Sequence, residues 1–183
     1  MRFAVALVAI AFLAAACGGD DDPAISGAAA EHNDADVAFV QGMIPHHQQA
    51  IEMATLVIDK GDRADVKDLA QQIADAQGPE IEIMQRWRND WGAPETANGG
   101  GMEEGEDGMM SGAEMSEMMS ASGAPLDRMF LESMIRHHQG AVTMAQTEVD
   151  AGQFGPAKDL AGRIINTQRS EIDEMQALLE VGS

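Results

Sequence analysis

Thiols, tyrosines and positive charges are scarce: the 183-residue chain has one Cys, no Tyr, five Phe, two Trp, and 11 Lys and Arg against 31 Asp and Glu. A single cysteine excludes an internal disulfide and any site built from several thiolates. The low aromatic content, set against abundant Ala, Met, Gln and Glu, disfavours sheet and favours helix. A formal net charge of −20 speaks against nucleic acid and against an anionic membrane surface as partners, and is compatible with a cationic ligand. At this length the chain can bury the core of about one domain.

Long apolar runs are also lacking, with one exception, Phe3 to Ala16, which is too short to cross a bilayer. Arg2 ahead of it and the small residues Ala14-Ala15-Ala16 behind it read as a secretory signal. The only cysteine, Cys17, follows directly, and Gly18-Gly19-Asp20-Asp21-Asp22 comes next. This arrangement resembles a bacterial lipoprotein lipobox. The resemblance implies removal of residues 1–16, lipidation of Cys17, a flexible tether over 17–33, and a mature domain outside the cytoplasm, anchored to a membrane without spanning it. No thiol would then remain for metal binding.

What is present is a repeat. DVAFVQGMIPHHQQAIEMA from Asp36 returns as DRMFLESMIRHHQGAVTMA from Asp127, an offset of 91 positions (127 less 36). The same offset pairs Lys67-Asp68-Leu69-Ala70 with Lys158-Asp159-Leu160-Ala161, and Gln77, Glu80, Ile81, Met84 and Gln85 with Gln168, Glu171, Ile172, Met175 and Gln176. One unit has been duplicated within the chain.

Each unit reads as a pair of amphipathic helices. From about Asp34 to Lys60, Val37, Val40, Met43, Ile44, His47, Ile51, Ala54 and Ile58 fall on one helical face. Pro45 lies inside this helix and is expected to kink or restart it. Gly61-Asp62 makes a turn, and a second helix over about Arg63 to Trp91 carries the polar residues Gln77 and Glu80 on its inward face. In a short-looped hairpin these come opposite Met43 and His47. Residues 92–124, rich in Gly, acids and Met, read as a flexible linker with a short helix near Ala113 to Ser120. The second hairpin spans about Leu126 to Ala151 and Pro156 to Val181. The fold class expected is all-α: a four-helix bundle from two duplicated hairpins, over residues 34–181.

Four of the five histidines sit in the two His-His pairs. Adjacent residues on a helix point about 100° apart, so His47 centres the apolar face and His46 lies at its edge, with Met43 one turn before both and Met53 on the His46 flank. Met134, His137, His138 and Met144 repeat the set. Imidazole suits several transition metals, whereas thioether sulfur selects copper(I). The pattern therefore points to copper, with Met43, His46, His47, Met53, Met134, His137, His138 and Met144 as candidate ligands. Gln77, Glu80, Gln168 and Glu171 are either partners that fix the imidazoles or direct oxygen ligands. Met84 and Met175 read equally as core filler and as ligands. The linker residues Met109, Met110, Met115, Met118 and Met119 have the spacing of a copper-collecting tract, and His32 is a weaker candidate.

At MIPHHQQAIEMA and MIRHHQGAVTMA the chain resembles the bacterial domain-of-unknown-function 305 family, a group of ferritin-like helical bundles to which a copper-binding protein is similar. The resemblance implies a ferritin-like fold, export, and copper binding or resistance, with ligand roles on the eight Met and His residues named above. Function is then expected to be non-catalytic: copper buffering, sequestration or transfer to a partner protein. The competing readings are an oxidase with a di-iron or copper centre, which would need inward carboxylates that the helices largely lack, and a metal-free helical interaction module.

Overall fold

The computed structural model describes residues 31–95 and 106–181, so the expected signal peptide, lipidated Cys17 and most of the tether lie outside the described residues. Among those described, the chain is helical throughout: α1 (Asp34–Lys60), α2 (Ala64–Asp90), a 3-10 turn (Glu106–Gly108), α3 (Gly112–Ser120), α4 (Gly123–Ala151) and α5 (Gly155–Val181). None of these helices is long and apolar enough to cross a membrane.

Local chemistry sets the helix ends. Asn33 caps α1, its side chain accepting from the Ala35 and Asp36 N–H groups at 2.9 and 3.1 Å, while the Asp36 carboxylate accepts from the Asn33 N–H at 2.7 Å. Ser111 and Glu114 form the same reciprocal cap on α3. Pro45 does not restart α1, which runs unbroken through it, as α2 runs through Pro79. Each proline removes one ladder donor, and tertiary packing holds the helix across the gap.

The two hairpins are α1–α2 and α4–α5; α1 packs on α4 in the middle, while α2 and α5 flank them and touch each other only marginally. A reciprocal lock fixes α1 and α4 antiparallel. Asp127, at the start of α4, accepts from the backbone N–H groups of Asp62 (3.1 Å) and Arg63 (2.9 Å) in the loop after α1. Asp36, at the start of α1, accepts from Gln153 (3.0 Å) and Phe154 (2.8 Å) in the loop after α4. Donors and acceptors both repeat at the offset of 91, so the bundle has a pseudo-twofold axis between α1 and α4. Burial alone would raise the Asp36 carboxyl, but hydrogen bonds from Asn33, Glu148, Phe154 and Gln153 bring it below its ordinary range.

The apolar core is split in two. One cluster contains Met53, Leu69, Ile73, Phe130 and Met134, and the other contains their repeat partners Met144, Leu160, Ile164, Phe39 and Met43. Along α1 the second cluster ends at Ile44 and the first resumes at Ala50, with the His pair between; the same break occurs on α4 at His137-His138, on α2 at Gln77, and on α5 at Gln168. A polar layer therefore crosses all four long helices at mid-height.

The segment expected to be a flexible linker is a packed part of the molecule from Glu106 onward. Met110, Met115 and Met118 insert into the first apolar cluster, at 7, 8 and 0% exposure. Met109 is half-buried and Met119 exposed, so these five methionines form no common tract. Apolar burial outweighs tether entropy here, and Gln49 clamps the segment with two hydrogen bonds to the Met110 backbone, at 2.7 and 2.9 Å. The 3-10 turn lies directly on α4: a Cβ at Gly140 would stand 1.5 Å from the Asp107 carbonyl oxygen. Gly140→Ala is thus expected to raise helix propensity by about 1 kcal/mol and yet detach the turn. Faster hydrogen exchange at the Met110 amide and new proteolysis near residues 106–110 would report it; an unchanged exchange rate would show that the turn does not depend on this close approach.

Candidate metal centre

His46, His47, His137 and His138 are all fully buried. The apolar face of α1 turns His47 inward, and the crossing of α1 with α4 covers His46 as well. His46 and His137 meet across the pseudo-twofold axis, with ring centroids 3.7 Å apart. His47 Nε2 lies 2.8 Å from Glu80 Oε2, and His138 Nε2 lies 2.6 Å from Glu171 Oε2. The hairpin register read from the sequence, which sets Glu80 opposite His47, is the one observed. His46 Nε2 lies 3.0 Å from the Asp107 carbonyl oxygen.

These partners are acceptors, so each Nε2 carries the hydrogen and the lone pair is left on Nδ1. The Nδ1 atoms of His46, His47 and His138 are buried without a hydrogen-bond partner, as are both nitrogens of His137 and the amide oxygens of Gln77 and Gln168. Burial pushes His46 down to about 3, with a smaller opposing effect from the Asp107 carbonyl, and burial together with the neighbouring histidines holds His137 well below the ordinary imidazole range. The layer is a set of buried nitrogen and oxygen atoms, several of which have no hydrogen-bond partner in the protein. An unpaired buried polar group costs about 1–3 kcal/mol, so a cation that accepts those lone pairs would be bound with that cost recovered.

The thioethers of one unit are not placed together. Met43 and Met53 are ten residues apart on α1, about 15 Å along the axis, and fall in opposite apolar clusters. Met43 shares its cluster with Met84 and with Met144 of the other half, and Met134 shares its own with Met175 and Met53. A centre in this fold is thus built from both halves. Among the described residues no three His, Cys, Asp or Glu side chains converge on one point in a ligand arrangement. An ion here must take few nitrogens, completed by sulfur or amide oxygen, which suits a soft ion of low coordination number. His32 lies outside the layer, stacked on Trp91 with centroids 4.6 Å apart.

Sequence reading missed Asp107, whose carbonyl orients His46, and Gly140, which lets that carbonyl approach α4. The available signal was the break in the repeat, Gln49 in one unit against Gly140 in the other.

A duplicated helical protein that buries imidazoles between two thioether-bearing apolar clusters is by construction a candidate soft-metal binder. The chain belongs to the domain-of-unknown-function family DUF305, whose model matches residues 36–179. It is similar to the crystal structure of a DUF305 protein from Streptomyces coelicolor, 34% identical, with a TM-score of 0.75 over 81% of this chain and 92% of that one. It is also similar to CopM. The Cu(I)-bound form is 29% identical (TM-score 0.66, 79% of this chain and 95% of that one), and the Cu(II)-bound form 31% identical (TM-score 0.70, 81% and 97%). Uncharacterized protein L153 of Acanthamoeba polyphaga mimivirus is 39% identical over 54 residues, 30% of this chain, and the match spans 36% of that protein's length.

Proposed function

We propose that the protein binds copper outside the cytoplasm, as Cu(I) in preference to Cu(II), and buffers, sequesters or hands on the ion without turning over a substrate. The observation that carries this reading is the layer of buried imidazole lone pairs without hydrogen-bond partners, bordered by methionines from both halves. Two likenesses support it: CopM is known in copper-bound forms, and the Streptomyces coelicolor relative is described among secreted proteins. The scaffold is a ferritin-like four-helix bundle with α3 added, held at the membrane through lipidated Cys17, and a copper-transfer protein is its partner.

In this reading Met43 and Met134, one turn before the His pairs, supply sulfur, and Glu80 and Glu171 hold His47 and His138 in the tautomer that leaves Nδ1 available. A carboxylate-rich di-iron centre has less support. The buried acids Asp36, Asp127 and Glu148 are each at least ten residues from the nearest histidine of their helix, about 15 Å.

Metal analysis of protein from copper-supplemented cells is expected to find copper, and iron in its place would reject the proposal. Replacing both Met43 and Met134 with Leu nearly conserves volume and should leave folding intact. It is expected to weaken Cu(I) by about tenfold or more, ~1.4 kcal/mol, with a smaller effect on Cu(II). Equal losses in a chelator competition run for both oxidation states would count against thioether ligation.

A further inference from the structure

The pseudo-twofold axis makes the two halves alike, yet their outer faces are not. On one side, α3 covers the seam between the C-terminal half of α1 and the N-terminal half of α4. The matching seam, between the N-terminal half of α1 and the C-terminal half of α4, holds a cavity of about 260 Å³. Its lining residues Ala38, Phe39, Met144 and Glu148 are the repeat partners of Met129, Phe130, Met53 and Val57, which belong to the cluster that α3 covers. Two consequences follow for the sulfur atoms. Met53 is completely buried, whereas its partner Met144 is half-buried and lines the cavity.

The cavity is one residue away from the imidazoles. Asp107 lines it, and the same residue's carbonyl oxygen lies 3.0 Å from His46 Nε2. At its other wall is Glu148, 1% exposed, whose carboxyl is hydrogen-bonded to Asp36. Val57 stands at that position in the covered half.

We propose that copper(I) reaches the buried layer from one side only, through this cavity, with Met144 as the first ligand it meets. The inference rests on the copper reading above and adds a direction to it. A soft monovalent ion exchanges from an external carrier onto an accessible thioether, with no change of oxidation state, and moves inward past Asp107 to the imidazole nitrogens. On that wall the Glu148 carboxyl is paired with Asp36, where the opposite seam presents Val57. That opposite seam is closed by Met110, Met115 and Met118, so among the described residues the duplication gives two equivalent donor sets but one port between them.

The test follows the rate at which the full metal-free chain takes copper(I) from a chromophoric chelator in a stopped-flow instrument. Met144→Leu is expected to slow uptake by about tenfold, ~1.4 kcal/mol of barrier. Ala38→Met places in the cavity the residue that its repeat partner carries at 129, and is expected to slow uptake to a similar extent. Met119→Leu alters the exposed methionine beside the covered seam and should load like the parent. Parent-like rates in both cavity variants overturn the port, and so does equal slowing in Met119→Leu. A parent protein that takes no copper at all overturns the copper reading and the port with it, whereas uptake with unslowed variants rejects the port alone.

Discussion

His137→Leu is expected to make the metal-free protein more stable while removing most of its affinity for copper(I). His137 is fully buried, and neither ring nitrogen makes a hydrogen bond of good geometry, the backbone of His46 giving it only weak hydrogen-bonding support against its burial. Leucine occupies a comparable volume and brings no polar atom, so the desolvation cost of two unpaired nitrogens disappears. About 1–3 kcal/mol should be gained in urea unfolding of the metal-free form. The same change deletes a donor that lies against His46 at 3.7 Å between centroids, so the rise in melting temperature on adding copper(I) should largely vanish. A histidine kept for packing predicts the opposite, a loss of stability with metal binding retained.

The acid limb gives a further readout of that substitution. Burial depresses His46 to about 3 and His137 well below the ordinary value of 6.5. The unfolded chain binds these protons first, so stability is fully present above pH 6.5 and is lost as pH falls from there toward 3. Removing His137 takes away its share of that loss, and the stability curve below pH 6.5 should flatten. Glu148 acts in the other direction. Burial and the adjacent Asp36 raise it to about 8, so its contribution is full below its ordinary value of 4.5 and declines as pH rises through 8.

Asp127→Ala is expected to cost about 3 kcal/mol, and Asp36→Ala slightly more. Each carboxylate accepts two backbone N–H groups from the loop of the opposite hairpin, and hydrogen bonds to a charged group contribute ~1.5–3 kcal/mol apiece. Asp36 also closes the cap with Asn33, worth about 1 kcal/mol more. The two locks stand at opposite ends of α1, about 39 Å apart by helix rise, too far to share a partner, so their effects should add. A double variant losing about 6 kcal/mol would be largely unfolded at 25 °C, because a domain of this size has ~5–15 kcal/mol in total. Denaturant titrations of both singles and the double check this; single losses under about 1 kcal/mol would show that the locks do not hold the halves together.

Much of the architecture was legible from local patterns. The repeat, the four long helices to within a few residues, and the inward position of His47 and His138 all follow from a 3.6-residue period, which depends only on neighbours one or two turns away. The hairpin register that brings Glu80 to His47 was readable for the same reason, since a three-residue turn leaves little freedom. The short helix near Ala113 to Ser120 is found as α3, whereas the packing of residues 106–120 was not legible, because composition reports the cost of ordering a segment and is blind to the surface waiting to bury it. Met110 and Met118 look like tether residues until α1 and α4 supply a groove.

The sequence by itself determined that two copies of one helical hairpin carry a His pair, one member of it on the apolar face, and a methionine one turn away, because those facts are properties of single helices. Tertiary structure alone decided which donors meet. Met43 and Met53 share a helix but stand about 15 Å apart, while Met43 and Met144, far apart in sequence, share a cluster. The antiparallel packing of α1 on α4 also lets identical repeats have unlike surroundings: one seam receives α3 and the other stays open. Contacts over 61 to 118 residues of separation set that outcome, as between His46 and Asp107 or Asp36 and Phe154, and no periodicity within a helix encodes them.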